Sequence, residues 1–190
     1  MWEHAGFTDD GNWMLRGDDG EVFDVTERTK TNQDKKFIGN AIPKVILAWN
    51  NQFTIGKFDV NAYFRAWTGH DIFNMPNFYY GIPLESRNVL VENYDDQKHI
   101  KGEKELSDYW IEDGDFLKLD VLSLGYSFDV KGNKYVKGLR VYATGQNLFV
   151  LTNYSGLNPE VNINGLDPGF EERATYPQTR TFMFGVQANF

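Results

Sequence analysis

Carboxylates are the most numerous groups in this chain with a capacity for chemistry, 27 Asp and Glu against 19 Lys and Arg. Asp18, Asp19 and Asp24 gather around Gly20 in a loose likeness of a calcium loop. If Gly20 held the glycine position of such a loop, Leu15 and Gly17 would fall at the first two ligand positions, and neither coordinates through a side chain. A solvated loop is the preferred reading, and no metal is expected. Glu171-Glu172, and Asp113 with Asp115, have the composition of a glycosidase's acid and base. Nothing in their surroundings marks a cleft or raises a pKa, so they read as solvated loop charges. His4, His70 and His99 lack metal-ligand spacing, and zero Cys removes disulfides and thiolate sites. Neither a glycine-rich phosphate loop nor a nucleophile elbow occurs. The expectation is no catalytic residue, no cofactor and no enzyme.

Binding and structure must therefore be sought in the remainder. Aromatics make up 16% of the chain, with 15 Phe, 10 Tyr and 5 Trp, yet the mean hydropathy is −0.51. Apolar residues are thus interleaved with polar ones, as in strands with two unlike faces. A net charge of −8 offers no basic stripe for phosphates and argues against a nucleic-acid partner. No apolar run approaches the ~18 residues of a spanning helix. Met1-Trp2-Glu3-His4 does not open a signal peptide.

The elements that would position binding groups follow a period of two. Residues 1–43 are polar and Gly/Asp-rich, a loop-rich segment with at most short strands. From Lys44, the residues Val45, Leu47, Trp49, Phe53 and Ile55 alternate with polar or small ones. Gly56-Lys57 suits a two-residue hairpin turn, and Phe58, Val60, Ala62, Phe64 and Ala66 continue the apolar phase. Such a turn pairs Ile55 with Phe58, Phe53 with Val60, Trp49 with Phe64 and Leu47 with Ala66, building one greasy face interrupted only by Asn51. Arg65 falls in the polar phase. That placement avoids the roughly 2–4 kcal/mol cost of a cation on a lipid face at the bilayer midplane.

Three more strands are expected over 116–128, 136–149 and 178–190. In the first of these, Leu117, Leu119 and Val121 share one phase while Leu122, Leu124, Tyr126 and Phe128 share the other. The spacing predicts a β-bulge near Val121–Leu122, or else an upper half of the strand standing above a membrane. A turn over 129–135 contains Gly132-Asn133, and residues 103–111 suit a short helix within the connection 69–115. From Phe182 to Phe190, at ~3.4 Å per residue and ~40° tilt, the last strand rises roughly 21 Å, close to the apolar band of an outer-membrane barrel. Connections run short (56–57), long (69–115), short (129–135) and long (150–177), the order of periplasmic turns and extracellular loops.

Several runs resemble the C-terminal barrel region of SusC/RagA-family TonB-dependent outer-membrane proteins. They include Gly138-Leu139-Arg140-Val141-Tyr142-Ala143-Thr144-Gly145-Gln146-Asn147-Leu148-Phe149 and Thr152-Asn153-Tyr154-Ser155-Gly156-Leu157-Asn158-Pro159-Glu160. Tyr176-Pro177-Gln178-Thr179-Arg180-Thr181-Phe182, the terminal Phe190, Asp115-Phe116-Leu117-Lys118-Leu119, Leu122-Ser123-Leu124-Gly125-Tyr126 and Ile38-Gly39-Asn40 add to the likeness. It runs from about Ile38 to Phe190 and weakens in the first long loop.

The resemblance implies an all-β, antiparallel up-and-down meander, the C-terminal part of a transmembrane β-barrel in the outer membrane of a Gram-negative bacterium. It implies import of oligosaccharides or peptides with a SusD-like surface lipoprotein as lid and the TonB complex as energy source. Plug, TonB box and most strands of such a barrel lie outside these 190 residues, so a fragment is expected. Phe182, Phe184, Val186 and Phe190 would face lipid and serve barrel insertion. Trp67, Phe78, Tyr79 and Tyr80 are candidates for ligand or lid-protein contact, with an interfacial girdle and loop packing as the plainer alternative. The competing function is a soluble all-β carbohydrate-binding module, since a sandwich strand also has one apolar face.

Overall fold

The computed structural model describes residues 1–83, 88–130 and 135–190, and of 92 and 93 the backbone alone. In chain order its elements are β1 (Glu3–Phe7), β2 (Trp13–Arg16), β3 (Val22–Asp24), β4 (Val45–Ile55), β5 (Phe58–Thr68), β6 (Asp71–Asn74), α1 (Met75–Tyr80), α2 (Val91–Gln97), β7 (Ile111–Asp113), β8 (Phe116–Phe128), β9 (Gly138–Thr152), β10 (Phe170–Glu171) and β11 (Thr181–Asn189). They divide between two compact units: residues 44–68, 115–153 and 177–190 form a sheet unit, and residues 1–43, 69–114 and 154–176 form a second. The Gly132-Asn133 turn lies outside the described residues.

The sheet unit is an antiparallel five-stranded meander in the order β11-β9-β8-β5-β4. Its first hairpin turns at Gly56, whose φ of 61° is open to glycine at little cost. The register then follows from the turn: Ile55 faces Phe58, Phe53 faces Val60, Trp49 faces Phe64 and Leu47 faces Ala66. Trp49 and Phe64 stack with ring centroids 4.7 Å apart.

Two bulges keep the apolar phase in step across the sheet. Between β5 and β8 the register shifts after Tyr63↔Val121, so that Phe64 meets Leu119 and Asp120 is the extra residue. The bulge expected near Val121–Leu122 thus falls one residue earlier. Between β8 and β9, Val121 faces Gln146 while Leu119 faces Phe149, which makes the extra residue one of β9's, beside Asn147 at φ 52°. Without these bulges Leu117 and Leu119 would turn to the polar side.

The second unit holds two three-stranded sheets. β1-β2-β3 is antiparallel; in β10-β6-β7, β10 runs parallel to β6. Trp13, Phe73, Ile82, Ile100 and Trp110 form one buried cluster, and Ile72, Tyr154 and Val161 form another. Ile72 and Phe73 are consecutive on β6, so alternation sends one to each cluster. Four rings, of His4, Phe7, Trp13 and Tyr109, close edge-on or tilted with centroids 4.7–5.5 Å apart.

The helical expectation over 103–111 needs correcting. Only a 3₁₀ turn, Asp108–Trp110, forms there, while the α-helices are α1 and α2. Trp110 donates its indole N–H to the Glu105 carbonyl at 2.7 Å and is fully buried, which holds this stretch as a tight turn. α1 has a local cause: the Asn74 side chain accepts the Asn77 N–H at 2.9 Å, and Pro76 sits in the first turn.

Candidate functional site

The meander presents two unlike faces, each a continuous row structure read across five strands. On the apolar face, Ile55, Phe58, Tyr126, Val141 and Val186 align in one row, and Phe53, Val60, Leu124, Ala143 and Phe184 in the next. Among the described residues of this face, Leu47, Trp49, Phe53, Ile55, Phe58 and Leu124 are all exposed, and Phe184 is 84% exposed. Phe182, Val186 and Phe190 are exposed too. Of the insertion candidates, Phe182, Phe184 and Val186 belong to this face.

The opposite face carries ion pairs and small residues in register. Asp59 on β5 reaches across Gly125 to Arg140 on β9, where Oδ1 accepts the Nε–H at 2.8 Å and Nη2 completes a bidentate pair. A Cβ at Gly125 would strike both partners, so glycine is required there for the approach. The Arg140 guanidinium also lies 4.9 Å from the Tyr142 ring, which in turn covers Gly185. Thr144 donates to Ser123 at 2.8 Å. Further along, the bulged Asp120 turns to this side and pairs with Arg65 and with Lys118 at 3.1 Å, while Lys118 also donates to Gln178. The bulge therefore does two things at once, preserving the greasy face and delivering a counter-charge to two cations.

Trp67 stands on the same side as Arg65 at the end of β5, its ring 5.3 Å from Phe116. It borders a shallow cleft of about 540 Å³ with Asp115, Leu151 and Thr152. The Thr68 hydroxyl donates to the Asp115 carboxylate at 2.6 Å, and the Thr152 hydroxyl to the Asp115 carbonyl at 2.8 Å.

Phe78, Tyr79 and Tyr80 come from α1 in the second unit and play three different parts. Phe78 packs against Phe73 and Trp110 with centroids 5.7 and 5.4 Å away, which makes it a core residue. The Tyr79 ring carries the Arg173 guanidinium at 4.2 Å. Tyr80 lines a cleft of about 660 Å³.

The carboxylates singled out in the sequence take structural work. Asp19 pairs with Arg28 at 3.0 Å and accepts the Glu21 N–H; Asp24 accepts the Thr26 N–H and hydroxyl, both at 2.8 Å, which hold its carboxyl below the usual range. Asp18 donates its backbone N–H to Asp34. Among the described residues no group of three or more His, Asp or Glu is placed to hold a metal.

Glu171 overturns the reading of solvated loop charge. It is 1% exposed, and it accepts the Tyr154 hydroxyl at 2.7 Å and the N–H groups of Asn158 at 2.9 Å and Leu157 at 3.3 Å. Burial pushes its carboxyl up despite those donors, and burial likewise raises the Tyr154 phenol. Glu112 holds the same stretch of chain by accepting the Ser155 N–H and hydroxyl at 2.8 Å. Two carboxylates thus pin residues 154–158. The only local hint was Gly156, where any Cβ would meet Glu171 and Tyr154. Asp113 lies at the end of β7, paired with Asp71. Of the histidines, His4 is pushed down by burial among its rings, His70 is buried, and His99 meets Phe7 edge-on at 5.1 Å.

No family model matches the chain. It is 28% identical over 220 residues to the TonB-dependent receptor P3 of Formosa agariphila, covering all of this chain and 22% of that receptor. It is 41% identical over 88 residues to the TonB-dependent receptor SusC of Bacteroides thetaiotaomicron, which covers 45% of this chain and 8% of SusC. Its fold matches a chain of the RagAB peptide transporter with a TM-score of 0.82 at 17% identity, covering all of this chain and 22% of that one. The chain thus spans about a fifth of the length of the first of these relatives.

Proposed function

We propose that this chain, a SusC/RagA-family TonB-dependent protein, builds part of the wall of an outer-membrane importer. The observation that carries the reading is the uncovered apolar face, unbroken in phase across five strands because two bulges correct it. A lipid surface satisfies such a face without a second sheet, while the Asp59–Arg140 and Arg65–Asp120 pairs look toward a polar lumen. In this reading Phe182, Phe184 and Val186 meet lipid, and Phe190 belongs to the insertion signal at the end of β11. Within 44–190, β4, β5, β8, β9 and β11 form barrel wall, and 1–43 precedes them.

The cargo is an oligosaccharide or a peptide, the lid a SusD-like lipoprotein, and the energy comes through the TonB complex. Trp67 and Tyr80 border open clefts and remain candidate contacts for cargo or lid, whereas Phe78 packs inward. The work of such a wall is binding and passage, with no covalent step.

The test is Phe184→Arg in the outer membrane of the native cell. A cation at mid-depth on a lipid face costs roughly 2–4 kcal/mol. The variant is expected to lose most of its heat-modifiable, detergent-resistant band, while Gln187→Arg on the opposite phase keeps it. Normal assembly of Phe184→Arg, or wild-type protein in the soluble fraction, would overturn the reading.

A further inference from the structure

We propose that Asn164 is a self-modification site: the Gly165 nitrogen attacks its side-chain amide, and the loop gains an aspartate or isoaspartate as the protein ages. Asn164-Gly165 is the single Asn-Gly pair in the 190 residues. It lies in the second unit, in the connection between β9 and β10. Glycine has no Cβ to hinder the approach of its nitrogen to a neighbouring carbonyl carbon. Both residues are exposed, and beyond the chain neighbours no heavy atom stands within 4 Å of where a Gly165 Cβ would be. Among the described residues, neither the Asn164 side-chain amide nor the Gly165 N–H has a hydrogen-bond partner. Nucleophile and electrophile are adjacent in the chain, and neither is engaged elsewhere.

What the fold adds is Asn162. Its Oδ1 accepts the Asn164 N–H at 3.0 Å, and its Nδ2 donates to the Asn164 carbonyl at 3.0 Å. The same two-point brace joins Asn158 to Glu160 and Asn40 to Ile42, so it is a recurring way of holding these loops. At Asn162 alone of the three, the braced carbonyl belongs to an Asn-Gly bond. The Gly165 nitrogen becomes nucleophilic by losing its proton, and the resulting negative charge spreads onto the Asn164 carbonyl oxygen. A donor already fixed on that oxygen stabilises the charge where it develops. The Gly169 N–H, bonded to the Asn162 carbonyl at 2.9 Å, closes the loop behind the brace.

The chemistry needs only water. The Gly165 nitrogen gives its proton to solvent and bonds to Asn164 Cγ. The Cγ–Nδ2 bond breaks, and Nδ2 takes up a proton and leaves as ammonia. Water then opens the succinimide at one of its two carbonyls. Attack at Cγ restores the main chain and leaves aspartate; attack at the main-chain carbonyl carbon leaves isoaspartate, with the chain running through Cγ. Either product adds a carboxylate to a chain of net charge −8, three positions from Asp167. Isoaspartate also takes the braced carbonyl out of the main chain.

Peptide-mapping mass spectrometry of the native protein, held in detergent at mildly alkaline pH in heavy-oxygen water, tests the assignment. Aspartate and isoaspartate carrying the heavy oxygen are expected to accumulate at position 164 ahead of every other asparagine, and more slowly at mildly acidic pH, where the nitrogen keeps its proton. Asn162→Asp keeps an acceptor for the Asn164 N–H and removes the donor. It should slow product formation by roughly twofold to tenfold, the range of one exposed hydrogen bond, and Asn162→Ala should slow it too. In denaturant the wild-type and Asn162→Ala chains should react alike, which separates the contribution of the fold from that of the Asn-Gly pair. An unmodified Asn164, faster accumulation at another asparagine, either Asn162 variant matching or outrunning the wild type when folded, or a difference that persists in denaturant would each overturn the proposal.

Discussion

The sheet unit and the second unit solve the same problem, placing polar groups near apolar ones, by opposite routes. In the sheet, each residue's side is decided by its neighbours along the strand, and a local device corrects any slip: Gly56 sets the register, and Asp120 and Asn147 restore the phase. In the second unit, the main core is not decided locally. Trp13, Phe73, Ile100 and Trp110 lie far apart in sequence and meet in one cluster, and Lys30 pairs with the buried Glu105 across 75 positions. An open sheet that meets its solvent on both faces needs only alternation; a core drawn from separate loops needs long-range closure.

Breaking the second unit's core should have the largest effect on this contrast. Trp110→Ala removes a fully buried ring and is expected to cost about 3–5 kcal/mol. Hydrogen exchange should then show β1, β2 and β6 losing protection while β5, β8 and β9 keep theirs; equal loss in both would mean the regions unfold together. In the sheet, Gly125→Val drives a side chain into the Asp59–Arg140 pair, and overpacking of this kind costs about 1–3 kcal/mol. Here the protection lost should be that of the β5–β8 pairing, and the second unit should not respond.

The pH response of two carboxyls in the second unit sharpens the comparison further. The folded carboxyl of Glu171 is raised by burial, so the folded state holds its proton longer than the unfolded chain. Stability from this group is complete below the ordinary carboxylate pKa and declines as pH rises from there through the folded value. Asp34 acts with the opposite sign. The Thr31 N–H and hydroxyl, then Asp18 and Arg28, lower its carboxyl, so its contribution is present at neutral pH and is lost as pH falls through the folded value. Glu171→Gln should remove the decline above the carboxylate range in a melting series and leave the acid limb; an unchanged upper limb would show that Glu171 is not its source. Asn74→Ala is expected to lose about 1 kcal/mol at the α1 cap, and with it the side chain's donations to Glu112 at 2.8 Å and Ser155 at 3.2 Å. Exchange at Asn77 and Phe78 reads it, and fraying that spreads into β6 would mean the cap also holds the strand.

How much of this was legible beforehand varied with the range of the interactions. The hairpin register, the polar phase of Arg65 and the need for a bulge in β8 all follow from alternation within a dozen residues, since a one-residue slip reverses every side chain. The bulge's exact seat did not, because Asp120 is chosen by the cations of Arg65 and Lys118 across the strands. α1 was legible in principle from Asn74 and Pro76. By contrast, Glu171 beside Glu172 looks like any solvated pair; only the fold brings Tyr154, Leu157 and Asn158 to one of them and leaves the other exposed.

Two-faced strands and the Gly56 turn were therefore settled by residue order, because a period of two is a property of the chain alone. Which aromatics pack inward and which line a cleft was settled by the tertiary structure. Phe78, Tyr79 and Tyr80 are consecutive on one short helix, and their separate fates depend on Trp110, Arg173 and Phe170, partners that only folding brings within reach.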